Sequence, residues 1–100
     1  MPYRIDIAPE AAEAIEEIYL YIAQDSPDNA ARWYFALHDQ IQTLKESPNR
    51  CPAAFESRFY SHEIRNLIFG SYRVLFRVQE QGQIIQILHV KHGARERTPF

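Results

Sequence analysis

Three scarcities in this sequence exclude whole classes of protein. Cysteine occurs once, as Cys51, so the chain can form neither an internal disulfide nor a cysteine-based zinc cluster. No apolar run approaches the roughly 18 residues that a membrane span needs, and the N-terminal MPYRIDIAPE lacks the long apolar core of a signal peptide. We therefore expect a cytoplasmic protein with no membrane contact, no bound metal and no cofactor.

The length and the charge distribution narrow the choice further. A chain of 100 residues with 46% hydrophobic and 24% charged side chains suits one globular domain, and no linker divides residues 1–100. The net charge of −2 hides an asymmetry, because residues 1–50 hold four basic and nine acidic side chains and residues 51–100 hold seven and four. The acidic side chains of the first half can be explained as the solvent-exposed face of helices. The basic side chains of the second half alternate with apolar residues, so a solvated helical face does not explain them as easily.

Residues 63–97 alternate apolar and polar side chains in three runs, EIRNLIF, GSYRVLFRV and QIIQILHVK. This period of two predicts three consecutive antiparallel strands. Glu80-Gln81-Gly82 predicts a three-residue loop between the last two strands, with Gly82 in the left-handed conformation. On one face the loop pairs Arg73 with His89, Leu75 with Ile87, and Arg77 with Ile85. On the other face it pairs Tyr72 with Val90, Val74 with Leu88, and Val78 with Ile84.

This register assigns the two faces of the predicted sheet different environments. The face that carries Arg73 and His89 is expected to be accessible to solvent. The opposite face, with Val74, Phe76 and Leu88, is expected to be buried under helices.

The first half of the sequence predicts a strand and two helices. Residues 3–7 alternate ahead of Pro9 and predict a short strand at the sheet edge or next to it. Apolar residues at helical spacing predict helices from residue 10 to about residue 24 and from residue 27 to about residue 47, with Ser26 as the cap between them. So short a turn requires antiparallel helices, which would cover one sheet face.

The order of these elements, together with FGSYRVLFRV and ILHVKHGARER, resembles the RelE/ParE superfamily, the toxins of type II toxin-antitoxin systems. The resemblance covers essentially the whole chain and rests on a strand with Tyr72-Arg73 and a last strand that runs into His92-Gly93-Ala94-Arg95-Glu96. It implies an α+β fold with an N-terminal strand, an antiparallel two-helix hairpin and a three-stranded antiparallel meander. It also implies a growth-inhibiting toxin that a cognate antitoxin wraps and neutralises.

The RelE-like branch of that family implies ribosome-dependent cleavage of messenger RNA. Strand and post-strand arginines would stabilise the phosphorane, and a histidine could supply acid-base function. The catalytic candidates carried over are Arg73, Arg95, His89 and His92. However, the strand in which many of those nucleases carry lysines reads Ile64-Arg65-Asn66, and Phe100 has no hydroxyl to donate a proton.

The ParE-like branch implies binding to DNA gyrase and requires no catalytic set. The incomplete basic set therefore slightly favours this branch, with a non-toxic interaction domain as the remaining alternative. The target-binding candidates are the cations of the second half of the chain: Arg65, Arg73, Arg77, Lys91, Arg95 and Arg97.

Apolar side chains among polar neighbours predict the antitoxin interface. Leu20 and Phe35 fall on the polar faces of their helices. Leu75, Ile85 and Ile87 fall among the cations of the predicted sheet. Such positions suit a partner segment with Leu or Ile anchors and Asp or Glu flanks that folds as it binds.

Overall fold

The computed structural model describes residues 3–93. Its strands and helices, in chain order, are β1 (Arg4–Ile7), α1 (Pro9–Asp25), α2 (Pro27–Gln42), β2 (Arg65–Phe69), β3 (Tyr72–Gln79) and β4 (Ile84–His92). Short 3-10 turns at Thr43–Lys45, Pro48–Arg50 and Phe55–Phe59 connect α2 to β2. This order confirms the predicted α+β fold. Within the described residues, no helix combines the length and the apolar character needed to cross a membrane.

Ser26 separates the two helices. Its backbone N–H donates to the Ile22 carbonyl at the end of α1, and its side-chain oxygen accepts from the Asn29 backbone N–H at 3.1 Å, which caps α2. The α-helical part of α2 is shorter than predicted, because the chain tightens into a 3-10 turn at Thr43. The Arg50 guanidinium stabilises this C-terminal end of α2, since it donates to the Thr43 hydroxyl at 2.6 Å and to the Ser47 carbonyl at 2.9 Å.

The four strands form one mixed sheet in the order β1-β4-β3-β2. The last three strands pair antiparallel, which confirms the predicted meander. β1 pairs parallel with β4 and lies at the edge, as predicted. The helical hairpin between β1 and the meander provides the long connection that a parallel pair requires.

The connection between β3 and β4 differs from the predicted three-residue loop. Gln79 pairs with Ile84, so four residues, 80–83, form the turn, and the Gln83 N–H donates to the Glu80 carbonyl at 3.1 Å. Gly82 has the predicted positive φ, at 91°, but Gln83 also lies at a φ of 52°. The Tyr3 hydroxyl donates to Glu80 at 2.7 Å and ties the edge strand to this turn.

A β-bulge in the middle of the hairpin changes the register a second time. Leu75 pairs with His89 and Phe76 with Ile87, so Leu88 is the extra residue on β4. The predicted partners are therefore wrong. Arg73 faces Lys91, not His89, and Arg77 faces Gln86, not Ile85.

The bulge also decides which side chains of β4 lie under the helices. Val74 and Phe76 are fully buried there, as predicted. Ile85 and Ile87 join them, whereas Leu88 packs with Leu75 on the other side of the sheet, so the expected burial of Leu88 under the helices is wrong. The main core contains the inner faces of both helices and the sheet: Ala11, Ala14, Ile15, Leu37, Ile41, Leu44, Leu67, Val74, Phe76, Ile85, Ile87 and Val90.

Candidate functional site

The face of the sheet opposite the helices is partly covered, because the connection before β2 folds over it. We call residues 48–64 the covering loop. Ala54 and Ile64 of this loop pack on Leu75, which is fully buried. Within the loop, the Ala54 N–H donates to the Ile64 carbonyl at 2.7 Å. The Asn66 N–H of β2 donates to the Pro52 carbonyl at 3.1 Å and fastens the loop to the β2 edge.

A buried ion cluster lies beneath the covering loop. Glu56, on the Phe55–Phe59 turn, has no exposed surface and accepts two hydrogen bonds from Arg73, at 3.0 Å and 2.6 Å. The Lys91 ammonium lies 3.5 Å from the same carboxylate. Arg73 and Lys91 face each other across β3 and β4, and both side chains are more than nine-tenths buried. The expected solvent exposure of Arg73 is therefore wrong.

Opposing effects set the pKa of Glu56. Burial raises the pKa of this carboxyl, but the Arg73 hydrogen bonds, a hydrogen bond to backbone and the charges of Arg73 and Lys91 outweigh burial and hold it below its usual value of 4.5. Glu56 is therefore ionised at neutral pH. The carboxylate contributes stability that is fully present above the pKa of the unfolded chain and is lost as the pH falls through the lowered pKa of the folded chain.

We expect acidification to destabilise the wild-type chain more steeply than a Glu56→Gln variant. The reason is that the unfolded state takes up a proton on Glu56 at a higher pH than the folded state does. Urea unfolding at a series of pH values from about pH 7 to about pH 3 measures this difference. Parallel pH profiles for the two proteins would contradict the assignment.

The other predicted cations have separate contacts. Arg65 donates to the Cys51 carbonyl at 2.5 Å and pairs with the exposed Glu63 at 2.9 Å, so it fastens the covering loop. Arg77 lies 3.4 Å from both ring nitrogens of His62. Burial and the Arg77 charge lower the pKa of His62, which keeps that ring neutral at neutral pH. Arg95 and Arg97 lie outside the described residues.

The structure brings Arg73 and His92 to one groove but leaves His89 elsewhere. The sheet-end groove, of about 620 Å³, is lined by Ala54, Phe55, Asn66, Ser71, Arg73 and His92 with several neighbours. The His92 ring contacts Tyr72 edge-on, with ring centres 5.7 Å apart. His89 is half-buried and lies opposite Leu75. Within residues 3–93, no three His, Cys, Asp or Glu side chains are grouped to hold a metal ion.

Most of the exposed large apolar side chains lie on the helices, while Phe59 and Ile68 are exposed elsewhere. Leu20 and Phe35 are 54% and 66% exposed, as expected from their positions. Leu75, Ile85 and Ile87 are fully buried, so their expected exposure is wrong: Leu75 lies under the covering loop and the two isoleucines lie in the helical core. A charged residue at any of these three positions would disrupt the fold and would test no interface.

An apolar groove of about 630 Å³ runs between the two helices. This helical groove is lined by Ile7, Ala12, Ile15, Glu16, Tyr19, Ala31, Tyr34, Phe35 and His38. Tyr34 is the centre of an aromatic group, since its ring lies 5.9 Å from Tyr19, 5.5 Å from Phe35 and 4.5 Å from His38, measured between ring centres.

Sequence reasoning missed Glu56 and the aromatic wall of the helical groove. Glu56 stands in FESRF between Phe55 and Phe59, and no local signal in that run marks its burial, because Phe59 is itself 47% exposed and the partner Arg73 lies 17 residues further along the chain. Tyr19 and Tyr34 carried none, because a tyrosine at helical spacing fits a core stripe and a groove equally well.

The edge strand and the meander form one mixed sheet, and the helical hairpin packs on it, so the chain has a small α+β fold with grooves on its surface. The family model described as "ParE toxin of type II toxin-antitoxin system, parDE" matches residues 5–97. The chain therefore belongs to the ParE toxin family.

Solved structures share the fold at low sequence identity. The chromosomal ParDE system of P. aeruginosa matches with a TM-score of 0.71 and 24% identity over 90% of this chain and 95% of that one. The RelBE2 toxin-antitoxin complex of Mycobacterium tuberculosis matches with a TM-score of 0.64 and 18% identity, over 92% of this chain and 99% of that one. The RelE-RelB complex of Pyrococcus horikoshii matches with a TM-score of 0.56 and 20% identity, over 96% of this chain and 100% of that one. Among curated proteins, no sequence matches.

Proposed function

We propose that this chain is the toxin of a type II toxin-antitoxin pair and that it acts by binding DNA gyrase, not by cleaving messenger RNA. The family match supports the first part, and the ion cluster under the covering loop favours the second. A cognate antitoxin would neutralise it by covering the surface through which it acts or by holding it in a complex.

The Glu56–Arg73 pair is the observation that carries the choice of target. Cleavage of a phosphodiester needs donors that are free to meet the charge developing on the phosphorane. Both terminal nitrogens of the Arg73 guanidinium are already bound to the Glu56 carboxylate, and the side chain is 8% exposed. In this state Arg73 fastens the covering loop to the sheet and is not available to a substrate phosphate.

Ribosome-dependent cleavage of messenger RNA is the alternative, and one observation favours it. Arg73 and His92 line the same groove, so a cation and a titratable ring are close together on one surface. Arg95, the second arginine of the proposed catalytic set, lies outside the described residues. This reading requires Arg73 to leave Glu56 before catalysis.

Two assays on the wild-type chain separate these functions. We expect inhibition of gyrase supercoiling with accumulation of cleaved DNA, and no cleavage of messenger RNA on added ribosomes. Glu63→Gln changes only an exposed carboxylate of the covering loop. It serves as the control variant, and it should behave as wild type in both assays. Cleavage of ribosome-bound message by the wild-type chain would overturn the gyrase proposal and support the alternative.

We propose the helical groove as the antitoxin interface, in place of the buried sheet positions. Tyr34 and the exposed Phe35 line this groove, and Leu20 and Tyr21 are further exposed apolar side chains on α1. Aromatic side chains in a concave apolar surface are the usual anchors of a protein interface. An amphipathic helical segment has the shape that fits a groove between two helices.

The charges around this groove indicate the chemistry of that segment. Residues 9–42 contain seven carboxylates and a single cation, Arg32, and all five carboxylates of α1 are exposed. Glu16 itself lines the groove. Charge complementarity therefore favours a partner with apolar anchors and Lys or Arg flanks, which reverses the acidic flanks expected from the sequence.

We expect Phe35→Asp to raise the dissociation rate of the toxin-antitoxin complex by more than about tenfold, because a central aromatic anchor contributes about 2 kcal/mol or more. Ile68→Asp is the matched control, since Ile68 is 62% exposed on the edge strand β2. Glu16→Lys should mainly slow association and reduce its dependence on salt, whereas Glu63→Lys should not. Surface plasmon resonance on folded variants measures both rates, and equal dissociation for Phe35→Asp and wild type would exclude the groove.

A further inference from the structure

A second group of exposed side chains lies on the covering loop and the neighbouring strand β2, on the side of the sheet away from the helices. We call Phe55, Arg58, Phe59 and Ile68 the loop patch. We propose that the loop patch binds the target protein of the toxin, at a place where the target presents a carboxylate beside an apolar side chain. The inference rests on the proposed function, because it names the surface through which gyrase would be bound.

Three apolar side chains form the hydrophobic part of the loop patch. Phe59 is 47% exposed and Ile68 is 62% exposed, while Phe55 is half-buried. The rings of Phe55 and Phe59 meet edge-on, with ring centres 5.6 Å apart, and Phe55 and Ile68 line the same sheet-end groove. Single exposed apolar residues are ordinary, but residues that lie together on a surface mark interaction sites.

The Phe55–Phe59 turn places Arg58 over the Phe55 ring. Residues three apart lie above one another in a 3-10 helix, and the central carbon of the Arg58 guanidinium lies 4.5 Å from the centre of that ring. A guanidinium that stacks on a ring keeps its N–H donors in its own plane, where a carboxylate can accept two of them. Arg58 is exposed and forms no salt bridge within residues 3–93, so these donors are available to a partner.

The turn is fixed to the structure beneath it before any partner binds. Glu56 accepts two hydrogen bonds from Arg73 in the buried cluster, at 3.0 Å and 2.6 Å. The Ser57 hydroxyl accepts from the Ile64 N–H at 2.7 Å and donates to the Ile64 carbonyl at 2.6 Å. A surface that is already ordered loses little conformational entropy on binding, so the loop patch is suited to bind a partner as it stands.

The charge of the loop patch favours an acidic protein surface as its occupant. Single-stranded nucleic acid binds along a groove with several available cations. The other arginines of residues 48–79 already contact groups of the chain itself: Arg50, Arg65, Arg73 and Arg77. Residues 94–100 carry two arginines and one glutamate, so their net charge has the wrong sign to pair with Arg58.

The loop patch and the helical groove differ in charge as well as in position. The helical groove lies among the carboxylates of α1 and α2 and suits a basic segment, whereas the loop patch presents Arg58. The two surfaces lie on opposite sides of the sheet. Substitutions in the loop patch should therefore weaken target binding and leave antitoxin binding as it is in the wild-type chain.

The test measures binding of the free chain to purified gyrase, and separately to the antitoxin, by surface plasmon resonance. Phe59→Ala should raise the Kd for gyrase by about 30-fold or more, the effect typical of an interface anchor. Arg58→Ala should raise it by about tenfold or more. Arg58→Lys keeps the charge but loses the planar fork, so it should restore the association rate and not the dissociation rate.

Arg32→Ala is the matched control, since it removes an exposed arginine of α2, and it should bind gyrase as wild type does. Circular dichroism confirms that each variant is folded. Because Arg58 is exposed, its variants decide the test even if Phe59→Ala does not fold.

Each remaining outcome contradicts the inference in a distinguishable way. Wild-type affinity for gyrase in Phe59→Ala and Arg58→Ala would overturn the inference and leave the proposed function intact, whereas absence of gyrase binding by the wild-type chain would overturn both. Faster antitoxin dissociation in these variants would assign the loop patch to the antitoxin interface. Loss of binding to a single-stranded DNA oligonucleotide, with gyrase binding unchanged, would make the loop patch a nucleic-acid site instead.

Discussion

Glu56→Gln is expected to lower the free energy of unfolding by about 3 to 5 kcal/mol, the range typical of breaking a buried ion pair by removing one partner. Two cations that are more than nine-tenths buried, Arg73 and Lys91, approach this carboxylate. The neutral amide has nearly the same size, so the loss reports charge and not packing. Such a loss is a large share of the roughly 5 to 15 kcal/mol by which domains of this kind are stable.

Two comparisons make this expectation specific to the cluster. Glu63→Gln makes the same chemical change at an exposed ion pair with Arg65 and should cost about 1 kcal/mol or less. Arg73→Met should cost less than Glu56→Gln, because Glu56 then keeps Lys91 at 3.5 Å. Denaturant melts of the three variants give the order. Equal losses for Glu56→Gln and Glu63→Gln would show that the buried cluster contributes nothing beyond a surface pair.

Phe76→Ala is expected to cost about 3 to 5 kcal/mol, the range for deleting a large buried side chain. Phe76 is fully buried and belongs to the core cluster formed by the helices and the sheet. It also flanks the bulge, because the pairing with β4 shifts between Leu75 and Phe76. Loss of the ring leaves a cavity that the paired strands cannot close by moving together, because their backbone hydrogen bonds fix the spacing.

Tyr21→Ala is the control for this second expectation. Tyr21 is 68% exposed on α1, so its removal should change the free energy of unfolding by only about 0.5 kcal/mol or less. Urea unfolding at neutral pH measures both variants. A loss below about 1 kcal/mol for Phe76→Ala would mean that this ring is not a core residue, since such values are typical of surface positions.

The local patterns of the sequence determined the elements and much of the core. Pro9, Ser26 and Pro27 carry the start and cap signals of both helices, and the structure confirms both helices. The period of two in the last third predicted three strands, and the inward positions of Val74 and Phe76 followed from it. These features depend on neighbours in the chain, so a sequence pattern contains them.

Only the tertiary structure decided the register of β4 and the environment of Arg73. The extra residue at Leu88 shifts which side chains face the helices, and no local signal marks a bulge, because its position depends on fitting two strands and the helices together. Burial of Arg73 depends on Glu56, which is distant in the chain and reaches the cation only after the covering loop folds over the sheet. A contact of that kind depends on where two separate elements meet, which hydrophobic periodicity does not describe.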